Sequence, residues 1–177
     1  QSSLYTFTQV NVAGAYQNLS SYSGVTNTGT FQIDTLCNRD SISADIPLGF
    51  ATGFPYNCKK YGFVRISNNG HLLLAPFGTI TPSVSNALVA TLTTFCEGVI
   101  QPFGTDLVKS TAAGTSSSIT YGKLGSDFIV QYKDMARTSS PGDIINFQVW
   151  LNGSGQIKFI YGNCTPDPTN SSISGPF

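Results

Sequence analysis

His71 is the sole histidine of this 177-residue chain. Any Ser-His-Asp triad, or any metal bound through imidazole, would have to be built on it. Serines are plentiful, but no Gly-x-Ser-x-Gly elbow is present to expose one of them as a nucleophile between a strand and a helix. The setting of His71 points elsewhere. In "YGFVRISNNGHLLLAPFG" (61–78), Asn68-Asn69-Gly70 separates two strand-like runs. Asn-Gly is a strong hairpin signal because both residues tolerate positive φ. His71 is therefore expected to be a half-exposed strand residue directly after a tight turn.

The acids offer little more. They are nine: Asp34, Asp40, Asp45, Glu97, Asp106, Asp127, Asp134, Asp143 and Asp167. Hydrolysis by paired carboxylates needs two of them across one cleft. Most fall at strand ends or in turns, where Asp satisfies local backbone donors; Asp106 and Glu97 are the best of a thin set. No catalytic residue is assigned, and the expectation is a protein that is not an enzyme. One histidine and scattered acids give no transition-metal set either, so no metal ligands are assigned. A structural calcium could be held by oxygen-rich turns such as "DTLCNRD" (34–40) or "DPTN" (167–170), which otherwise read as ordinary turns. No other cofactor is expected.

The four cysteines, Cys37, Cys58, Cys96 and Cys164, are even in number, widely spaced and contain no Cys-x-x-Cys pair. That pattern favours disulfides in an oxidising compartment over zinc, with free buried thiols as the alternative. Of the possible pairings, Cys37–Cys58 with Cys96–Cys164 is preferred, because the first two flank one β segment. Aromatic residues make up 12% of the chain, with Trp150 the single tryptophan. Sugars stack their apolar faces on flat rings while amides bond their hydroxyls. Trp150 shares a strand face with Asn146 and Gln148, which makes the three either a glycan platform or a second buried layer. Tyr16, Tyr22, Tyr56 and Tyr61 stand in loop-like contexts as further exposed candidates. Asn18, Asn152, Asn163 and Asn170 match Asn-x-Ser/Thr and would accept glycans in a eukaryotic secretory pathway.

Charged residues are 10% of the chain and the formal net charge is zero, against roughly 25% charged in typical soluble domains. Lys59-Lys60 is the longest basic run, which argues against nucleic acid and against docking on anionic lipid. No apolar run approaches the roughly 18–20 residues of a membrane-spanning helix, so the chain is not expected to be membrane-embedded. It begins with Gln1, either a trimmed end or the end left by signal-peptide cleavage.

These residues must be positioned by strands, for helical periodicity is nearly absent; a short helical turn at 84–97 is the most the pattern allows. Strand patterns cover 4–12, 41–50, 61–67, 71–75, 117–124, 127–136, 145–152 and 156–162, with "NGSG" (152–155) closing the last hairpin. Phe128, Val130 and Tyr132 oppose Ile129, Gln131 and Lys133; Ile145, Phe147, Val149 and Leu151 oppose Asn146, Gln148 and Trp150. That alternation predicts an antiparallel sheet packed on one side with a polar outer face. Residues 1–177 are read as one all-β domain, a two-sheet antiparallel sandwich with jelly-roll-like topology. Residues 13–30 and the tail 165–177 are polar and Gly/Ser-rich, surface segments or arms ordered by a partner. The uncharged strand "LYTFTQVNV" (4–12), with Tyr5, Phe7, Val10 and Val12, is either the first strand of its own sandwich or a strand exchanged between copies.

The order of segments resembles secreted β-sandwich domains of surface and adhesin-like proteins of Bacteroidota. The likeness runs through "YTF" (5–7), "IPLGFATGFPY" (46–56), "YGFVRISNNGHLLL" (61–74), "QPFGTDL" (101–107), "DFIVQYKDM" (127–135) and "INFQVWLNGSGQIKFIYGN" (145–163). Two departures stand out: His71 occupies a position that is usually aromatic, and no long sorting domain follows Phe177. The resemblance implies a secreted or cell-surface, non-catalytic module. The expected function is structural or adhesive, with assembly into filaments through the terminal strand, and the alternative is a lectin-like module around Trp150. The expected partners are further copies, cell-surface proteins or glycans.

Overall fold

Alternating side chains generate the architecture of the computed structural model, which describes residues 6, 8–10, 14–31, 42–76 and 98–169. The described residues form two antiparallel sheets. The chain opens with β1 (Thr26–Phe31) in the larger sheet. It then builds the smaller from β2 (Ile46–Pro47), β3 (Phe54–Tyr56), β4 (Lys59–Ile66), β5 (Leu72–Pro76) and β6 (Val99–Ile100). It returns to the larger with β7 (Leu107–Lys109), β8 (Ser118–Leu124), β9 (Asp127–Arg137), β10 (Ser140–Asn152) and β11 (Ile157–Tyr161). Strand order is β1-β8-β9-β10-β11 in the larger sheet, with β7 also on β9. In the smaller it is β2-β4-β5-β6, with β3 also on β4. The sandwich is as expected. The chain crosses between the sheets after β1 and again after β6, and consecutive described strands are mostly neighbours within each sheet.

The faces divide as the alternation requires. Val64, Ile66 and Leu72 of the smaller sheet meet Phe128, Val130, Tyr132, Phe147, Val149 and Leu151 of the larger in one core. Pro47, which cannot donate to a ladder, lies on an edge strand as its chemistry demands.

Both central strands carry a bulge where their neighbour changes. In β9 the register moves from Tyr132↔Phe147 to Met135↔Ile145, one extra residue on β9, and Asp134 takes φ 51°. β8 pairs with the strand up to Lys133 and β7 from Met135 onward. Asn146 holds this bulge: its Oδ1 accepts the Asp134 N–H at 3.0 Å, and its amide donates to the Asn163 carbonyl at 2.9 Å. In β4 the shift falls between Tyr61 and Phe63, where pairing passes from β3 to β2. An extra residue bends and twists a strand, letting one long strand serve two short ones.

The Asn-Gly turn is a loop of three residues, 68–70. The Ser67 N–H donates to the His71 carbonyl at 3.0 Å, and Gly70 supplies the positive φ of 76°. It does not face solvent. The Tyr132 hydroxyl crosses the core from β9 and donates to the Ser67 carbonyl at 2.7 Å, with the His71 carbonyl at 3.4 Å.

Several expectations change. Of residues 13–30, the described part (14–30) is ordered and packed on the larger sheet; it contains a 3₁₀ turn, Leu19–Ser21, and most of β1. In the N-terminal segment, Thr6, Thr8, Gln9 and Val10 belong to no strand. The tail is tied at its start, where Thr165 and Ile144 exchange backbone hydrogen bonds of 2.8 Å. The helical turn expected at 84–97 lies outside the described residues, as do Cys37 and Cys96. Their expected partners, Cys58 and Cys164, are free thiols.

Cys58 and Asn57 form a two-residue hairpin between Tyr56 and Lys59, at φ 60° and 48°. Left-handed backbone is costly for a residue with a Cβ. Cys58→Gly is expected to raise stability by about 0.5–1 kcal/mol in denaturant unfolding. A loss of about 2–4 kcal/mol would instead mean that Cys58 is bridged in the folded protein.

Burial pushes the Tyr132 hydroxyl above the ordinary tyrosine value of 10.0. The folded state thus keeps a proton that the unfolded chain gives up, so this stabilisation is full below that value and lost as pH rises past it. Tyr132→Phe is expected to cost about 1–2 kcal/mol at neutral pH, by leaving the Ser67 carbonyl short of a buried donor. It should also flatten the alkaline fall in stability, read by unfolding from pH 8 to 11.

Candidate functional site

The face of β9 and β10 turned away from the core reads in sequence as polar, with Trp150 on a glycan platform or in a second buried layer. Residues 16–25 cover it. Leu19, Ile129 and Trp150 form a second small core, flanked by Tyr22, Val25, Leu124 and Ile160. A chain of amides ties the cover down. Gln131 Oε1 accepts the Leu19 N–H at 2.7 Å and the Gln148 amide at 2.9 Å. Gln148 also donates to the Gln17 carbonyl at 2.6 Å and accepts the Trp150 indole N–H at 3.0 Å.

Trp150 is only 7% exposed. The Tyr22 ring meets it edge-on at 5.6 Å, and the Lys158 ammonium sits 4.1 Å from its ring centroid. With Asn146 committed to the bulge, all three residues read as sugar-binding have their polar groups engaged within the fold. The arrangement is the second buried layer. Leu19, Tyr22 and Val25, spaced through an otherwise polar stretch, were the signal for it.

His71 is 0% exposed, not half-exposed as expected. Residues 103–107 lie over its turn: Asn69 Oδ1 accepts the Leu107 N–H at 3.4 Å, and a Cβ at Gly70 would stand 3.1 Å from the Phe103 carbonyl. Tyr61, expected on the surface, is buried as well, while Tyr16, Tyr22 and Tyr56 are half-buried.

Among the acids, Asp143 is fully buried and binds Arg137 in a fork, Nε at 2.5 Å and Nη2 at 3.1 Å. That hydrogen-bonded pair raises the Arg137 pKa. Asp167 accepts the Thr169 N–H and hydroxyl at 2.8 and 2.6 Å, which lowers its pKa, and also the Gly142 N–H at 3.1 Å. These are the bonds of an Asp-led turn. No group of three His, Cys, Asp or Glu side chains is arranged to hold a metal among the described residues. The 34–40 turn and Glu97 lie outside them. Of the glycan-acceptor motifs, Asn18 and Asn163 are exposed, whereas the Asn152 amide donates to Asp127 at 2.8 Å; Asn170 lies outside the described residues.

An open groove of about 810 Å³ runs beside the C-terminal end of β11. Pro102, Phe103, Tyr161 and Cys164 give it an apolar lining, with Gln9 on one side and Arg137 on another. Tyr161 is 51% exposed, yet its hydroxyl donates to the Pro102 carbonyl at 2.8 Å and fixes the strand end to the 102–105 loop. Phe103 stacks on Phe147 at 5.5 Å, and Phe147 on Tyr132 at 4.4 Å, so the lining is anchored in the core. Arg137 is already paired. Burial raises the Cys164 thiol, so it stays protonated at neutral pH and is a poor nucleophile.

The N-terminal segment reaches this groove at Gln9. Thr6, Thr8, Gln9 and Val10 are exposed, Val10 by 73%. Tyr5, Phe7 and Val12 lie outside the described residues. The pocket escaped the sequence because it gathers residues from four distant stretches.

The family model described as "NIDO related" matches residues 4–175. The NIDO domain is extracellular, in agreement with the compartment that the sequence resemblance implied; nothing in the match singles out Bacteroidota or adhesin-like proteins. No curated protein and no solved structure matches the chain. No helix among the described residues is long and apolar enough to cross a membrane.

Trp150→Ala is expected to cost about 3–5 kcal/mol, the cost of emptying a buried aromatic site. Chemical unfolding measures it. A variant as stable as the parent would mean that the ring is freely exposed in solution.

Proposed function

We propose that this chain, which belongs to the NIDO-related family, is a non-catalytic extracellular structural and adhesive module that joins copies by exchange of its N-terminal segment. The supporting observation is that the described part of that segment is exposed and unpaired in a strand while lying, at Gln9, beside the apolar groove at the end of β11. An uncharged segment with Tyr5, Phe7, Val10 and Val12 has every reason to leave water, and a neighbour's sheet offers both hydrogen bonds and apolar cover. Exchange repeated head-to-tail gives an open fibre; closed exchange gives a dimer. The partners are further copies or cell-surface proteins. No metal or organic cofactor enters this role. The glycan reading has lost its motivation, because the Trp150 ring is already occupied by Tyr22 and Lys158.

Removal of residues 1–12 tests the proposal. The full chain is expected to form multimers visible by sedimentation and electron microscopy, and the shortened chain to remain a folded monomer with the same β spectrum. If the shortened chain unfolds even when dilute, the segment belongs to its own core and the exchange reading fails.

A further inference from the structure

The two edges of the larger sheet are built differently. At β1 the register shifts between Thr26 and Gly29, with Asn27 at φ 50°. That bulge twists the edge and spoils it as a template, a common protection against unwanted pairing. β11 has no such device. It pairs with β10 through five consecutive residues, from Ile157 opposite Leu151 to Tyr161 opposite Phe147, with no shift of register.

The direction of its free groups follows from the ladder. Antiparallel pairs alternate between bonded and non-bonded. The Gly162 N–H donates to the Asn146 carbonyl at 2.8 Å, and the Asn152 N–H to the Gln156 carbonyl at 2.9 Å. Counting from these bonded pairs, Lys158 and Ile160 turn their backbone groups toward β10. Ile157, Phe159 and Tyr161 turn theirs outward, along an edge that no other described strand pairs. A charged side chain often guards such an edge. Here the one charged residue in β11 is Lys158, and its ammonium is drawn over the Trp150 ring on the outer face of the sheet.

We infer that the outward edge of β11 is the acceptor for residues 4–12 of a second copy, an inference that rests on the strand exchange proposed above. Gln9 lines the same groove as Tyr161, which puts the described part of the segment at this end of the strand. The segment carries no charge, so pairing buries none. The groove that Tyr161 lines with Pro102, Phe103 and Cys164 adjoins the same end of β11. Main-chain bonds to Ile157, Phe159 and Tyr161 would supply affinity and the groove would fix register.

The test compares Phe159→Ala with Phe159→Pro in the full chain. Both lose the ring that packs at the edge of the main core, and neither touches the groove lining. Only proline removes the outward N–H, which the β10 ladder does not use. Sedimentation equilibrium is expected to show the alanine variant associating nearly as the parent does, and the proline variant weakened by at least about tenfold, the scale of one lost main-chain bond plus its steric block. Amide hydrogen exchange on the parent needs no variant: protection at Ile157, Phe159 and Tyr161 should rise with protein concentration while β1 stays unchanged. Equal association of both variants, or new protection at β1 instead, overturns β11 as the acceptor. Strand exchange would then survive if removal of residues 1–12 still abolished assembly. A parent chain that never associates overturns both.

Discussion

The hydroxyl of Tyr132 donates to the carbonyl of Ser67 across a largely apolar core. A buried phenol without an acceptor is costly, and the Ser67 carbonyl, which also accepts the Gly70 N–H at 3.4 Å, removes that cost. This bond fixes where one sheet lies on the other, because it joins the middle of β9 to the tip of the β4–β5 hairpin. The same ring stacks on Phe147, and Phe147 on Phe103, so the loop over the hairpin and the lining of the groove inherit their positions from it. Burial keeps the phenol protonated and able to donate. The inward turn of the hairpin then explains His71, whose carbonyl lies within reach of the same hydroxyl.

A second constraint acts along the strands. β9 and β4 each serve two shorter strands along one side, and each carries one extra residue against the strand on its other side. In β9 this places Asp134 in left-handed backbone, tolerable for Asp and compensated by the Asn146 side chain. The same Asn146 holds the Asn163 carbonyl, just past the end of β11. The bulge in the sheet's centre and the course of the chain beside the groove are therefore coupled through one amide.

The alternation of side chains was legible because it is local. "DFIVQYKDM" and "INFQVWL" state which residues face the core, and Phe128, Val130, Tyr132, Phe147, Val149 and Leu151 do so. Alternation says which face a residue takes, not what lies upon that face. Trp150 and Gln148 were assigned to the correct side of β10, but their cover comes from residues more than a hundred positions earlier, where Leu19 and Tyr22 sit in a polar stretch. The same limit applies to the topology: strand patterns do not encode which strand is the neighbour, and nothing local pairs Thr30 of β1 with Thr120 of β8. His71 had the right turn and the wrong exposure, because the segment that buries it arrives through Asn69 and Leu107. The groove draws on Gln9, Pro102, Arg137 and Tyr161, and no window of sequence contains them together.

A chain with 10% charged residues has few charges to spend on keeping copies apart. In most β proteins lysines on the edges do that work. Here it falls to backbone devices. Pro47 removes a donor from the edge strand β2, and the shift at Thr26–Gly29 distorts β1. β11 has neither; its lysine leans over Trp150, where it covers the second core rather than guarding the edge. One side-chain placement thus covers Trp150 and takes the single charge of β11 away from its backbone edge. A sheet distorted along one edge and regular along the other treats its two edges unequally, which answers the hazard of edge pairing differently from a uniform fence of charge.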